Sequence, residues 1–423
     1  MKVIKVLLSC LLFPCTVLGQ EAEPQDSIRK IEATIVNAKT SEPLGFATVY
    51  VNPYVSTIAN EEGGFSLSAN IADTLHISYV GFKPMKIAVA QTGTVIRMQP
   101  GGRVLDEVVV YSPDAIIART LARLRKEYRR YYNHRASFFF RQLQLADHRS
   151  SSLQEAFLSA RSAFAVKKMS LITGRYLAHH EKHNNPMNAY RLVQTEVYTN
   201  KKEHAAMTPL SKWYRAYYNC TSTAITDGER EFYVLHFTPL DPKEVAVEAD
   251  VYIDAQTFCV ERYTGHFNNW LVRYTQREEI PIPPKGKEWE QETTEQKGGD
   301  KNDLLTDIFF ERRRLMRVPM MYSFDIFYQH DHKFHEVKTA NCHTSFSIEG
   351  KPHEVRGTLI NVGNYQRTDN KVLNTQGNLR QEIRMQGYDR QFWKNNEVIK
   401  RTPLEEEALD LFERENLEGE YEE

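Results

Sequence analysis

Residues 31–111 read IEATIVNAKTSEPLGFATVYVNPYVSTIANEEGGFSLSANIADTLHISYVGFKPMKIAVAQTGTVIRMQPGGRVLDEVVVY. Short apolar runs of β-prone residues alternate here with clusters of Gly, Pro, Asn and Glu, which favour turns. Phe65-Ser66-Leu67-Ser68 alternates at the period of two that a half-buried strand requires, and Glu61 to Gly64 before it predicts a hairpin turn. A set of about seven short strands in this length predicts a two-sheet β-sandwich.

Four blocks of this stretch resemble the carboxypeptidase-regulatory-like (transthyretin-like) domain: Pro43 to Val49, Glu61 to Phe65, Leu75 to Phe82 and Leu105 to Val110. The resemblance implies a non-catalytic transthyretin-like sandwich of about seven strands over 30–111, in a protein of the Gram-negative envelope. Domains of this kind precede the plug of TonB-dependent outer-membrane transporters. In those transporters a segment like Asp106 to Val110 lies near the TonB-contact region.

Length and composition are those of a globular protein. The chain has 423 residues, of which 41% are hydrophobic and 11% aromatic, so it can form sizeable cores in two or three domains. Its 54 Lys and Arg residues balance 55 Asp and Glu residues, which leaves a formal charge of -1. Non-specific nucleic-acid binding depends on an excess of positive charge, so we expect no nucleic-acid partner.

The first residues predict a secretory signal peptide over 1–19. Lys2 and Lys5 flank the start of an apolar centre that runs to Leu12, and Gly19 ends a cleavage context. The sequence around Cys10 is similar to a lipoprotein cleavage box, but too few residues precede it for a workable signal. No other window approaches the ~20 apolar residues of a membrane helix. We therefore expect an exported protein, in the periplasm or at the periplasmic face of the outer membrane.

A helix over 112–133 is predicted to connect two domains. The helix is predicted to start at Ser112, Pro113 and Asp114. The serine hydroxyl can cap the first backbone amides, and proline is favourable in the first turn. The aspartate carboxylate is stabilised by the positive end of the helix dipole. An apolar stripe follows at helical spacing: Ile117, Leu121, Leu124, Tyr128 and Tyr132. The basic opposite face suits anionic lipid or an acidic partner, but we favour a solvated outer face.

Residues 134–366 predict a larger antiparallel β domain with few helices, because β-prone runs recur from Phe138 onward. Ser152 to Glu155 has the pattern of a capping box and predicts a short helix through Phe164. Residues 281–303 are rich in Pro, Gly, Lys and Glu and predict a mobile surface loop. The fold class expected is therefore mainly β.

The polar tail over 367–423 is predicted to end in an acidic helix. Thr402-Pro403 supplies a helix start, and a narrow apolar stripe follows: Leu404, Ala408, Leu411 and Phe412. We expect this helix to be docked on the protein or to bind a partner.

The second domain has a helix, then an aromatic strand, and then a strand-turn-strand from Asp250 to Phe267. This order is similar to the domain that follows the regulatory-like sandwich in a group of uncharacterised envelope proteins. Tyr252 to Thr257 with its return strand also resembles the curved half-barrel of periplasmic lipoprotein carriers, whose concave face holds acyl chains. The resemblance adds a carrier to the functions considered.

Catalytic motifs are missing from the sequence. No histidine is followed by glutamate at the third position, so the zinc-ligand pair of a metallocarboxypeptidase is lacking. The phosphate loop, the dinucleotide fingerprint and the Gly-x-Ser-x-Gly elbow are also lacking. We expect no catalytic residues and no cofactor. A glycan hydrolase stays open, because its two carboxylates can come from distant strands.

Two histidine clusters are candidate metal sites. His330 and His332 would share a face of a strand with His335 nearby, and His179, His180 and His183 offer an i, i+4 pair on a helix. Polar turn histidines explain both clusters more simply, so we predict no metal.

The cysteines and the tryptophans each have two possible roles. Cys10 and Cys15 leave with the signal peptide, while Cys220, Cys259 and Cys342 can form one disulfide or serve as small buried hydrophobes, which we favour. The tryptophans can stack on sugars, but packing in cores is the commoner role of aromatic residues. The four tryptophans are Trp213, Trp270, Trp289 and Trp393.

The sequence thus predicts a non-catalytic exported envelope protein that binds or scaffolds at the periplasmic face of the outer membrane. The expected partners are outer-membrane or periplasmic proteins. One alternative is a periplasmic carrier or binding protein for a lipid-like or glycan ligand, and another is a glycan-active hydrolase.

Overall fold

A computed structural model describes residues 27–52, 55–103, 111–131, 133–163, 165–178, 195–243, 246–267, 271–274, 279–281, 316–331, 334–348, 350–363, 372–373, 379–386 and 389–414. Strands dominate these ranges, so the mainly β class is confirmed. The predicted signal peptide, the cluster His179, His180 and His183, and the predicted loop beyond Pro281 lie outside the described residues. No helix among the described residues is long and apolar enough to cross a membrane.

The N-terminal domain is a β-sandwich of a three-stranded and a four-stranded sheet, with the orders β4-β1-β7 and β3-β2-β5-β6, as predicted. Its strands are β1 Ile28–Asn37, β2 Thr48–Asn52, β3 Val55–Ile58, β4 Gly64–Asn70, β5 Thr74–Ser78, β6 Met85–Ala88 and β7 Val95–Met98. The core between the sheets contains Ile35, Val49, Phe65, Leu75 and Ile77, which are almost completely buried. Alternate residues of the strands supply this core, as a half-buried sheet requires.

The predicted hairpin turn at Glu61 to Gly64 is wrong. β3 and β4 belong to different sheets, and β4 pairs with β1, where Gly64 lies opposite Thr34. The chain crosses between the sheets at Gly63, whose φ is 74° and whose position leaves no room for a Cβ, because the Ile35 carbonyl oxygen would lie 2.3 Å away. The turn-forming residues correctly predicted a turn here. They could not predict that β4 would pair with β1 and not with β3.

The second domain is one large antiparallel sheet, as predicted, with the strand order β11-β10-β9-β20-β19-β18-β15-β14-β13-β12-β8. Two short strands, β16 and β17, extend it beside β18. The strands are β8 Gly102–Arg103, β9 Arg135–Ala146, β10 Arg149–Arg161, β11 Lys167–Ala178, β12 Tyr218–Thr226, β13 Glu231–Pro239, β14 Val247–Asp254, β15 Val260–Phe267, β16 Leu271–Tyr274, β17 Glu279–Pro281, β18 Met316–Asp331, β19 Phe334–Ile348 and β20 Lys351–Gly363.

Helix α1 (Pro113–Tyr131) packs on one face of this sheet, which we call the helix face. Its start is capped as predicted, because the Ala115 amide donates to Ser112 Oγ at 3.4 Å. Ile116, Ile117 and Leu124 are buried in the same core as Phe138. The helix therefore belongs to the second domain instead of bridging two domains. Its apolar stripe is wide enough to be covered by a sheet.

The opposite face of the sheet, which we call the sandwich face, carries the N-terminal domain and two of the C-terminal helices. Helices α3 (Arg390–Asn395) and α4 (Pro403–Arg414) lie on it, while α2 (Leu379–Gln386) packs against β11 from the helix face. The predicted start of α4 is confirmed by a reciprocal capping box. The Glu405 amide donates to Thr402 Oγ1 at 3.2 Å, and the Thr402 amide donates to Glu405 Oε2 at 2.8 Å.

One prediction about a helix is wrong, and another is confirmed in part. The segment from Ser152 to Glu155 is part of strand β10, because its pattern suits a strand as well as a capping box and pairs with β9. Of the predicted stripe of α4, Ala408 is buried and Leu404 packs with Leu409 against the leucines of β9, β10 and β11. Leu411 is half-buried, and the side chain of Phe412 lies outside the described residues.

Candidate functional site

The sandwich rests on the second domain through an apolar contact at the centre of the sandwich face. The Tyr79 ring of the sandwich lies 5.5 Å from the Phe327 ring of β18. Phe46 joins the same cluster, which includes Phe139 and Trp393 of the second domain. Burying such aromatic area is a main source of interface stability. The two domains are thus packed against each other, and we call this contact the joint.

Polar contacts surround the joint on several sides. The Arg356 guanidinium donates to Glu61 Oε1 at 2.8 Å, and Lys338 donates to the Thr48 hydroxyl. Lys400, which precedes α4, donates to Glu32 Oε2 at 3.2 Å. The sandwich therefore contacts β19, β20 and the C-terminal segment by separate side chains, which fixes its orientation on the sheet.

Arg262 is a charged group that contacts the apolar rings of the joint. Its guanidinium donates to both carboxylate oxygens of Asp325, at 2.8 and 2.7 Å. The rings of Tyr79 and Phe327 each lie with their centroids 5.0 Å from the Arg262 Cζ. A bidentate carboxylate and aromatic faces are the surroundings in which a buried guanidinium is stable. Arg262 thus links the sandwich to β15 and β18.

A second charged cluster, the clamp, lies on the sandwich face beside the joint, on β9, β10 and β11. Glu155 of β10 is 1% exposed and accepts from Arg141 Nε of β9 at 2.7 Å and from Arg175 Nε of β11 at 2.6 Å. Burial disfavours the carboxylate, but the charges of Arg141, Arg175 and Arg401 outweigh this and lower the pKa of Glu155 to about 2. Glu155 is therefore held as an anion and cannot donate a proton at neutral pH.

The clamp holds the C-terminal segment against the sheet. Arg141 also donates to Glu405 Oε2 of α4 and to the Ile399 carbonyl, both at 3.2 Å. The Trp393 ring of α3 lies 5.0 Å from the Arg175 Cζ. Three neighbouring strands and two helices therefore meet around one buried carboxylate, which gives the clamp a structural role.

Sequence reasoning missed the clamp. The available signal was the position of Arg141 directly after the apolar run Phe138-Phe139-Phe140, because a charged residue on a buried strand needs a partner. The partner, Glu155, was assigned to a helix instead.

Of the histidines His330, His332 and His335, only His335 has a described side chain. His335 is buried, with its Nε2 2.7 Å from the Val260 carbonyl oxygen and its Nδ1 3.5 Å from Glu127 Oε2. His330 lies in β18, but its side chain and all of His332 are outside the described residues. In the described part of the chain, no group of three His, Cys, Asp or Glu side chains could hold a metal ion. His335 is a core histidine and not the turn histidine we predicted.

Two of the cysteines and one tryptophan are buried among the described residues. Cys220, Cys259 and Cys342 are free thiols, and the last two are buried. Burial raises the pKa of Cys220 to about 12 and that of Cys259 to about 11. Trp393 is 3% exposed, so it offers no stacking surface for a sugar. Cys259, Cys342 and Trp393 are therefore buried packing residues as predicted, whereas Cys220 and Trp213 are only half-buried.

Comparison with known families identifies the class of the N-terminal domain. Residues 31–110 match the family model of the CarboxypepD_reg-like domain. The sandwich is therefore a carboxypeptidase-regulatory-like domain, as its four sequence blocks implied. None of the curated proteins compared with the chain matches it.

Three solved structures are distantly similar to the chain. A LolA superfamily protein from Nitrosomonas europaea is similar over 61% of this chain and 99% of its own, at 8% identity and a TM-score of 0.20. The MucA/MucB complex of Pseudomonas aeruginosa is similar over 60% of this chain and 97% of its own, at 11% identity and a TM-score of 0.16. A structure of MucB aligns at 9% identity and a TM-score of 0.18, over 59% of this chain and 94% of its own. Likeness at this level carries no conclusion about fold or function.

Proposed function

We propose that this chain is a non-catalytic exported envelope protein that binds or scaffolds other proteins at the periplasmic face of the outer membrane. The observation that carries the proposal is the joint. Through it a regulatory-like domain is packed onto the middle of a long sheet by Tyr79, Glu61 and Thr48. Such an arrangement presents two domains in a fixed relation, which suits holding partners.

The charged side chains of the joint and the clamp support a structural role over catalysis. Glu155 stays ionised among arginines, and both carboxylate oxygens of Asp325 accept hydrogen bonds from the Arg262 guanidinium. A general acid for glycan hydrolysis needs the opposite environment, one that raises the pKa of its carboxyl while it faces substrate. These buried charges instead connect strands to each other and to the C-terminal segment.

The location rests on the signal-like first residues and on the resemblance of the sandwich to domains of envelope proteins. Lys2, Lys5 and the apolar run up to Leu12 support export. The partners expected at this location are outer-membrane or periplasmic proteins.

The proposal can be tested by purifying the tagged full chain from solubilised envelopes and identifying the molecules that copurify. Recovery of one or more envelope proteins in stoichiometric amount is the expected result. A bound lipid or glycan with no protein partner would overturn the proposal in favour of a carrier. Turnover of envelope glycans by the purified chain would overturn it in favour of a hydrolase.

A joint variant sharpens this test. Tyr79→Ala removes the ring that contacts Phe327, whereas Tyr50→Ala removes an exposed tyrosine of the same sandwich. If the fixed relation of the domains matters, the joint variant loses the copurifying protein and the matched control retains it. Equal recovery with both variants would show that the joint is not needed for binding.

A further inference from the structure

The outer side of helix α1 carries only alanine and basic residues over residues 118–126. Ile117, Leu121 and Leu124, on the inner side of the same turns, are buried in the core of the helix face. We call the outer side the basic strip, and its residues are all exposed: Ala118, Arg119, Ala122, Arg123, Arg125 and Lys126. The helix therefore presents positive charge to the surroundings on the face of the sheet opposite the sandwich.

The two carboxylates of α1 do not neutralise the basic strip. Asp114 accepts from Arg215 Nε at 3.0 Å, so it is paired with an arginine outside the helix. Glu127 is buried and accepts from Arg123 Nε. The helix has six basic residues against two acidic ones, which is a net charge of +4, in a chain whose formal charge is -1. Positive charge is thus concentrated on this helix.

The spacing of the basic residues differs from that of a solvated helix face. Residues four apart are neighbours on a helix surface, and like charges at this spacing destabilise the helix, whereas alternating signs support it. Three pairs of basic residues have this spacing in α1: Arg119 with Arg123, Arg125 with Arg129, and Lys126 with Arg130. Within the described part of the chain, Arg119, Arg125 and Lys126 form no salt bridge with a carboxylate. An anionic partner would offset this repulsion.

Arg119 is held in place by aromatic rings instead of by a carboxylate. Its Cζ lies 3.9 Å from the centre of the Tyr111 ring and 5.1 Å from the centre of the Phe258 ring. Stacking covers the flat face of a guanidinium and leaves the N–H donors at its edge available to an oxyanion. Among the described residues, no hydrogen bond uses these donors. The guanidinium is thus positioned to bind a phosphate before any partner is present.

The basic strip suits a flat anionic surface better than a protein partner. A stable protein interface has an apolar or aromatic centre, but the only uncharged residues of the strip are Ala118 and Ala122. Anionic lipid headgroups attract basic residues near a membrane surface without needing an apolar centre. The two small alanine side chains also let the helix backbone lie close to such a surface.

We propose that the basic strip of α1 binds the phosphate groups of an anionic phospholipid surface, with the helix lying along it. This inference rests on the proposed location in the envelope. It turns the helix face toward the membrane and leaves the sandwich face, with the joint, turned away from it for protein partners. Each basic residue near an anionic membrane strengthens binding about fivefold, and salt screens the attraction.

Sedimentation of the purified full chain with vesicles tests the proposal. The vesicles contain phosphatidylcholine alone, or equal parts of phosphatidylcholine and phosphatidylglycerol. The wild type should bind only the anionic vesicles, and about 0.5 M NaCl should release it. Arg125→Gln combined with Lys126→Gln should weaken binding about 25-fold, and Arg119→Gln alone about fivefold. Lys83→Gln combined with Lys86→Gln is the matched control, because it removes two exposed lysines of the sandwich and should leave binding unchanged.

Equal binding to both kinds of vesicle, or an equal loss in the helix variant and the control, would overturn the proposal. So would binding to poly-glutamate without binding to anionic vesicles, because the strip would then recognise an acidic protein. All the substituted side chains are exposed, so every variant should keep the urea midpoint of the wild type. The vesicle assay contains no partner protein. If it fails while envelope proteins still copurify with the chain, the lipid surface is refuted and the proposed function is not.

Discussion

The clamp yields the sharpest prediction, because one carboxylate holds several charged groups that have little access to water. Glu155→Gln keeps the size of the side chain and removes its charge. Arg141 would retain Glu405, but Arg175 would lose the carboxylate oxygen at 2.6 Å from its Nε. Arg401, whose Nε lies 3.9 Å from Glu155 Oε1, would lose that attraction as well. The variant therefore leaves positive charge in a buried site.

Two routes give the same magnitude. Removing one partner of a buried ion pair costs about 3–5 kcal/mol, because the other charge stays buried without compensation. The fall of the Glu155 pKa from 4.5 to about 2 gives a second estimate of this free energy. At ~1.4 kcal/mol for each pKa unit, that fall is worth ~3 kcal/mol. We expect the free energy of unfolding to fall by this amount at pH 7.

The pH dependence gives an independent check. The pKa of Glu155 is lower in the folded state than its ordinary value of 4.5, so the folded protein binds this proton less readily than the unfolded chain. Its stabilisation is therefore complete above pH 4.5 and is lost as the pH falls to about 2. Between pH 4.5 and about 2, the free energy of unfolding of the wild type should therefore fall toward that of Glu155→Gln.

Urea unfolding followed by far-UV circular dichroism measures the effect. With a slope of about 3 kcal/mol per molar urea, the midpoint of Glu155→Gln should fall by roughly 1 M. Glu231→Gln is the matched control, because Glu231 is exposed at the start of β13, and it should change stability by less than about 0.5 kcal/mol. Equal midpoints for Glu155→Gln and wild type at pH 7 would refute the reasoning about the clamp.

Three further predictions concern packing, capping and thiol chemistry. Gly265→Ala should lower the free energy of unfolding by about 2 kcal/mol or more, because its Cβ would lie 2.3 Å from the Glu248 carbonyl oxygen. Gly93→Ala, with no atom within 4 Å, should be nearly neutral in the same urea titration. Thr402→Ala removes one half of the capping box and should cost about 1 kcal/mol by thermal unfolding, with loss of helix signal. Burial raises the pKa of Cys259 to about 11, so a thiol reagent at pH 8 should label it only after denaturation, and rapid labelling of the native protein would contradict its burial.

The fold class could be predicted because strand patterns are local. The alternation at Phe65 to Ser68 and the aromatic run from Phe138 each predicted a strand that the structure contains. The pairing of strands is not local, which is why the hairpin at Gly63 was wrong. β1 is far upstream in sequence. It pairs with β4 because this pairing lets the two sheets bury their apolar residues in one core.

The charged clusters could not be predicted for a similar reason. Glu155 lies between strands that bring Arg141 and Arg175 to either side of it, and the register of β9, β10 and β11 sets that position. Strand β12 was missed because its threonines and serine mask the alternation that marks a half-buried strand. The histidine cluster illustrates the opposite error, since sequence proximity of His330 and His335 did not reveal the buried setting of His335.

Location is the claim on which the proposed function depends most directly. Cells that express the tagged full chain should be treated with protease before and after the outer membrane is permeabilised, with the tag detected in each envelope fraction. The account predicts a tag in the envelope fraction that is protected in intact cells and digested once the outer membrane is opened. A tag that stays protected in the cytoplasmic fraction after permeabilisation would contradict it.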